Sequence, residues 1–255
     1  MTYEAGLRRA ATDLKISVLF STRLPFARSF AVTGADIARA SWALPLAGAL
    51  IGLLGAIAYW LAHAVGLPPL PAGALALATT LVATGCLHED GLADTADGFG
   101  GGTTRERKLE IMRDSRIGSY GACALMLSLL LRGSALASLA EAALVAGALV
   151  AAHASARATM PVLMWLVPRA RPDGLSADAG PPPGASVAAA VVLGVIALAL
   201  GLDRGAAIAA VLLLVAVVAC VAWLSREQVG GQTGDVLGAL EQVSEITVLL
   251  AAAAA

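Results

Sequence analysis

The stretch LVATGCLHEDGLADTADGFGGG, residues 81–102, decides how this chain is read. An apolar run ends at Leu87, and His88, Glu89, Asp90, Asp94 and Asp97 follow at once, leading into glycines. On a helix turning about 100° per residue, Asp90, Asp94 and Asp97 project at about 0°, 40° and −20°, inside one sector of roughly 60°. Three carboxylates that close repel one another unless a cation sits between them. Hard oxygen donors suit Mg²⁺, with Mn²⁺ as the alternative. A solvated acidic face at a helix end is the plainer explanation of a carboxylate run. Here the run lies between an apolar stretch and a glycine-rich, basic one, which favours the metal.

Working outward, the 255 residues are 58% hydrophobic and only 14% charged, with a mean hydropathy of +0.81. That is outside the usage of a soluble domain and reads as a polytopic membrane protein, an all-α bundle of transmembrane helices. Crossing the hydrocarbon takes about 20 apolar residues, and stretches near that length fall at 43–65, 70–87, 119–139, 142–167, 185–202, 206–224 and 236–255. The expectation is about seven spans within a single integral membrane domain, 1–255, with six to eight as the range. Two stretches are short, and His153 and Arg157 interrupt a third. Gly and Ala in every span suit close helix packing. The three cysteines show no CxxC spacing and read as small buried side chains. The first 30 residues lack the continuous apolar core of a cleavable signal peptide.

Charge gives the orientation. Of the 17 Lys and Arg residues, all but Arg132, Arg157 and Arg204 fall before the first span or in the segments 88–118, 168–184 and 225–235. With seven spans those segments share one side, which the positive-inside rule makes the cytoplasm. Residues 1–40 read as an amphipathic element lying on that interface. The segment 168–184 reads as a Pro-rich connector and 225–235 as a second motif loop. Trp42, Trp60, Trp165 and Trp223 sit near span ends, as interface anchors do. A net charge of −1 argues against a nucleic-acid partner.

The 88–118 segment reads as a catalytic loop. Gly98 to Gly102 are too glycine-rich for a helix, and Thr103 with Glu106 forms a capping box that starts a new one. The segment then offers carboxylates, free main-chain donors and arginines together, the inventory for holding a pyrophosphate. Positive-inside topology and anionic lipid explain any one of the arginines equally well. Asp235 opens the last span, with Glu241 and Glu245 a turn apart inside it. Carboxylates inside a membrane face a cavity or a partner, and the plainest partner of Glu241 and Glu245 is Arg157.

These motifs together, His88 to Gly98, Arg113-Asp114-Ser115-Arg116-Ile117-Gly118 and Gly231 to Ala239, resemble those of the cobalamin synthase family, the adenosylcobinamide-GDP ribazoletransferases. Phe20 to Pro25 resembles the family's N-terminal motif, so the resemblance covers essentially the whole chain. It implies a Mg²⁺-dependent membrane enzyme of late vitamin B12 assembly. Such an enzyme joins adenosylcobinamide-GDP to α-ribazole or its 5′-phosphate and releases GMP. On this reading Asp90, Asp94 and Asp97 are metal ligands, with Glu89 and Asp235 as further ligands. Gly100, Gly101, Arg113 and Arg116 hold the GDP phosphates, with Asp114 and Arg157 in the substrate-binding set. Asp97 or His88 takes the acceptor's proton, or the metal makes a base unnecessary. The partners are these small molecules and the bilayer, with a homo-oligomer compatible. A CDP-alcohol phosphotransferase acting on lipid shares the reaction type, and a cation-coupled transporter shares the intramembrane charges.

Overall fold

The computed structural model describes residues 3–24 and 32–255. The helices, in chain order, are α1 (Tyr3–Ser21), α2 (Gly34–Ala40), α3 (Leu44–Ala64), α4 (Pro69–Thr84), α5 (Leu87–Gly101), α6 (Arg105–Ile111), α7 (Ser119–Leu139), α8 (Ala142–Leu166), α9 (Leu175–Ala179), α10 (Gly184–Gly201), α11 (Arg204–Val229) and α12 (Gly234–Ala253). No strand occurs among the described residues; one isolated parallel bridge joins Arg169 to Gln232. Pro25, Phe26 and Arg28 lie outside the described residues.

Among the described residues, six helices are long and apolar enough to cross a bilayer, and a seventh crossing results when α4 and α5 count as one broken span. Five of the expected span positions hold; the first is extended, and the 70–87 stretch crosses only together with α5. A capping box between Thr33 and Asp36 starts α2, which runs through a short 3-10 turn into α3, so the first span begins at Gly34 instead of 43. That takes Gly34–Ala40 out of the interfacial segment and leaves α1 as its amphipathic part. Polar residues of α1 tie it to the bundle: Asp13 accepts from Arg39 Nε at 3.0 Å and Trp42 Nε1 at 3.1 Å, and Ser17 Oγ donates to Ala40 O.

Small residues set the helix spacing, as they do where no hydrophobic force separates helix from lipid. A Cβ on Gly52 of α3 would lie 2.5 Å from Leu149 O of α8, and one on Gly48 would overlap His153 O. Thus α8 sits at the centre, packed on α3, α10 and α12. By contrast α11 is the most apolar span and buries only 11% of its core window, so it presents its sides to lipid. The cysteines also face outward, contrary to the buried positions expected of them. Cys123 and Cys220 lie on spans whose surroundings are apolar on both sides, so a small thiol gains nothing by facing in.

The 88–118 segment is not a loop. At the end of α4, Gly85 (φ +66°) and Cys86 (φ +57°) both take the left-handed conformation, and the chain turns 90° straight into α5. Helix α5 then continues through Gly98 and Gly100 to Gly101, whose amides are therefore spent within the helix. These glycines serve packing: a Cβ on Gly100 would meet the Tyr120 ring at 2.7 Å, and one on Gly98 would overlap Met112. The next helix begins one residue later than expected, capped by Thr104, whose hydroxyl accepts from Arg107 N. The 168–184 connector holds the short helix α9.

Candidate active site

The site is made by the crossing of α5 and α12. Gly91 and Gly238 face each other there, and a Cβ on Gly91 would lie 2.8 Å from Asp235 O and 3.1 Å from Gly238 Cα. Only bare backbone lets the two helices come this close, and the contact sets Asp90 and Asp94 beside Asp235 in the first turn of α12. The charges of Asp90, Asp235 and Asp97 all act on Asp94, opposed by the Arg171 guanidinium. Asp90 is exposed, Asp94 half-buried and Asp97 buried. Two cavities meet at Asp90. One, of about 540 Å³, is walled by Asp90, Asp94, Arg113 and Asp114, with Leu125 and Leu129 of α7 as an apolar side. The other, of about 160 Å³, lies between His88, Asp90, Asp235, Met160 and Phe20.

Asp97 has a different task from its two neighbours. Its Oδ2 accepts from Gly118 N at 2.6 Å and its Oδ1 from Gly121 N at 2.9 Å, capping the free amides that open α7. A side chain at Gly118 or Gly121 would overlap that carboxylate, which explains both glycines.

Below the crossing lies a buried ionic network. Arg132, fully buried in α7, contacts Glu245 at 3.0 Å and Glu89 at 3.2 Å. Arg157 of α8 contacts Glu241 at 2.6 Å, one of the two acids expected for it, and Glu245 meets His153 Nδ1 at 3.0 Å. Helices α7 and α8 both flank α12, so Glu245 meets Arg132 of α7 and His153 of α8, while Glu241 meets Arg157 of α8. His88 Nδ1 lies 3.2 Å from Glu241 Oε2 and 3.3 Å from Arg157 Nη2, leaving Nε2 as the nitrogen without a partner. His153, Glu241 and Glu245 are close enough to ligate an ion, but two guanidiniums already neutralise these carboxylates. Removing either partner of such a pair strands a buried charge, at a cost of about 3–5 kcal/mol.

The remaining sequence assignments separate by location. Glu89 belongs to the Arg132 network, although it borders the larger cavity. Arg157 is buried, pairs with Glu241 and borders neither acidic cavity. Gly100 and Gly101 are helical residues and offer no free amides to a phosphate. Arg113 reaches the cavity and pairs with Asp173 across the α8–α9 connection at 2.5 Å. Arg116 is exposed and pairs with Asp114 at 2.6 Å; its hydrogen bonds hold the Asp114 carboxyl down to about 2. Two residues that the sequence did not single out matter here. Arg171 donates to Asp235 Oδ2 at 3.3 Å, and Arg132 anchors α5 through Glu89. An arginine within an apolar span was the available signal for Arg132; nothing local marked Arg171.

The donor set suits a hard divalent cation: Asp90, Asp94 and Asp235 supply carboxylate oxygens only, on two helices held in register by the glycine contact. No solved structure matches the chain. Its sequence matches the family profile described as Cobalamin-5-phosphate synthase over residues 13–253. A protein of Bradyrhizobium diazoefficiens named adenosylcobinamide-GDP ribazoletransferase is 57% identical, covering 97% of this chain and 95% of its own. Proteins of the same name from Mesorhizobium japonicum and Ralstonia nicotianae are 52% and 43% identical, covering 97% and 96% of this chain and 95% and 96% of their own. With a match that spans the α5–α12 crossing and every loop around it, the chain belongs to the Cobalamin-5-phosphate synthase family.

Proposed function

We propose that the protein is a Mg²⁺-dependent transferase of the inner membrane that joins adenosylcobinamide-GDP to α-ribazole or α-ribazole 5′-phosphate and releases GMP on the cytoplasmic side. The observation that supports this reading is the Gly91–Gly238 contact, which packs the start of α12, with Asp235, against the part of α5 that carries Asp90 and Asp94. Those carboxylates would hold the cation, which when bound neutralises phosphate oxygens as the bond to phosphorus changes partners. In the reaction the ribazole hydroxyl forms a P–O bond to the phosphorus bearing the cobinamide arm. The pyrophosphate P–O bond breaks, and GMP leaves.

The chain's own work is binding, orientation and removal of one proton. Arg113 stands on the larger cavity, where a guanidinium can take phosphate oxygens in pairs. His88 borders the smaller cavity with Asp90 and Asp235, and Glu241 on its Nδ1 leaves Nε2 free to accept the hydroxyl proton. The apolar side of the larger cavity, Leu125 and Leu129, suits a bulky organic group entering from the bilayer surface. Cytoplasmic orientation is supported by the basic loops, which converge on one end of the bundle: Arg105 donates to Ala170 O and Arg113 pairs with Asp173.

The purified protein, given adenosylcobinamide-GDP and either ribazole form, is expected to release GMP, to stop when EDTA is added, and to leave CDP-diacylglycerol intact. CMP release from CDP-diacylglycerol, or no GMP from adenosylcobinamide-GDP, overturns the proposal.

A further inference from the structure

A third cavity adjoins the acidic site on the far side of Asp235. It measures about 150 Å³ and lies between the chain that follows α8 and the start of α12, with Arg169, Arg171, Ser176, Gln232, Thr233 and Asp235 in its walls. Those walls are fixed in place. Ala170 N donates to Gln232 O and Gln232 N to Pro168 O, both at 2.8 Å, and Ser176 Oγ donates to Gln232 Oε1 at 2.5 Å. Gly231 permits this clamp, since a Cβ there would overlap Pro168 O. From the other side Arg105 Nη2 donates to Ala170 O at 2.7 Å.

Arg171 is the group that this frame leaves incomplete. Its side chain is 16% exposed. One terminal nitrogen, Nη2, meets Asp235 Oδ2 at 3.3 Å, while the other, Nη1, is buried with no partner. Arg169 Nη1 makes a long contact of 3.4 Å to Ala177 O. The acid nearest to them besides Asp235 in the cavity wall, Asp173, is taken by Arg113 at 2.5 and 2.8 Å. Two guanidiniums therefore line a space that admits a tetrahedral anion and is too small for a corrin ring. A planar guanidinium with one arm on a carboxylate and one arm free is built to take oxygens of such an anion.

We propose that this cavity is a phosphate subsite in which Arg171, supported by Arg169, binds a phosphate group of a substrate and ties it to Asp235. The identity of that substrate rests on the function proposed above. The phosphate belongs either to the diphosphate of the nucleotide-activated donor or to the phosphomonoester of the acceptor, and kinetics separate the two. Full-length protein in detergent is compared with Arg171→Met, and with Arg169→Met as a second variant that leaves the Asp235 pairing in place. Inorganic phosphate and pyrophosphate are expected to raise the unfolding temperature of the wild type, and the rise is expected to vanish in Arg171→Met and shrink in Arg169→Met. In turnover, Arg171→Met should raise a KM by about tenfold or more, the loss of one charged hydrogen-bonding pair, with kcat changed far less. A KM increase for α-ribazole 5′-phosphate but not for α-ribazole assigns the subsite to the acceptor; one for adenosylcobinamide-GDP with both acceptors assigns it to the donor. Equal stabilisation of wild type and both variants by phosphate, or unchanged KM values for every substrate, overturns the subsite. Failure of the wild type to turn over adenosylcobinamide-GDP would instead overturn the functional reading, and the phosphate-dependent stabilisation would still decide this one.

Discussion

Three aspartates that share one helical face have separate fates, and the separation is visible in what each carboxylate touches. Asp97 spends both oxygens on the amides of Gly118 and Gly121, whereas Asp90 and Asp94 face the cavities. Two charge-assisted hydrogen bonds are lost in Asp97→Ala, so its unfolding free energy in detergent should fall by about 2–4 kcal/mol, read as a lower melting temperature. An unchanged melting temperature with a lost Mg²⁺ requirement would make Asp97 a ligand and not a cap. The three-aspartate spacing was legible from the sequence because helical periodicity alone sets it. The division of labour was not, because the partner of Asp97 is the start of another helix whose position no local pattern encodes. The same holds for Arg157: its place in an apolar span marked its need for an acid, but that it met Glu241 while Arg132 took Glu89 and Glu245 depended on the packing of α7, α8 and α12. Outside the spans, Arg116 lowers the Asp114 carboxyl below its usual range, so this pair stays ionised at every pH above about 3 and adds no pH dependence near neutrality.

At the scale of elements, glycine decides the architecture twice in opposite ways. Gly85, with Cys86, turns α4 into α5 and converts an expected loop into the second half of a broken span. Gly98 and Gly100, which by composition argue against helix, sit inside one, because Met112 and Tyr120 press against their bare backbone. Helix propensity lost to packing here, as it does wherever close approach outweighs backbone entropy. Gly91 and Gly238 have the most direct consequence for function. Gly91→Val puts a branched side chain where a Cβ alone would be 2.8 Å from Asp235 O, forcing α5 off α12 and drawing Asp90 and Asp94 away from Asp235. GMP release should fall by about 100-fold or more, as a displacement near 1 Å does to a positioned site, while the chain still inserts and purifies as a folded protein. Normal turnover in that variant would show that the α5–α12 contact does not set the site.

For the whole molecule, length and composition sufficed to give an all-α bundle and nearly every span, because about 20 apolar residues in a row have few other uses. What the bundle does with its charges took the third dimension. Acids and arginines fall into two layers, a buried layer where Glu89, Glu241 and Glu245 neutralise Arg132 and Arg157, and a cavity layer where Asp90, Asp94 and Asp235 outnumber their cations. The first layer fixes the depth and rotation of α5 and α12 in the bundle; the second is left with excess negative charge, which is the condition for holding a divalent cation. Asp94 and Asp235 come from different helices, so both matter only if the cation bridges α5 and α12. The most direct measurement is GMP release from adenosylcobinamide-GDP across a Mg²⁺ titration after EDTA treatment, in wild type, Asp94→Asn and Asp235→Asn, with melting temperature recorded alongside. The account predicts full recovery of the wild type by Mg²⁺, and a loss of about 100-fold or more in both variants at an undiminished melting temperature. Near-normal turnover in either variant, or turnover in the wild type that EDTA leaves untouched, would contradict it.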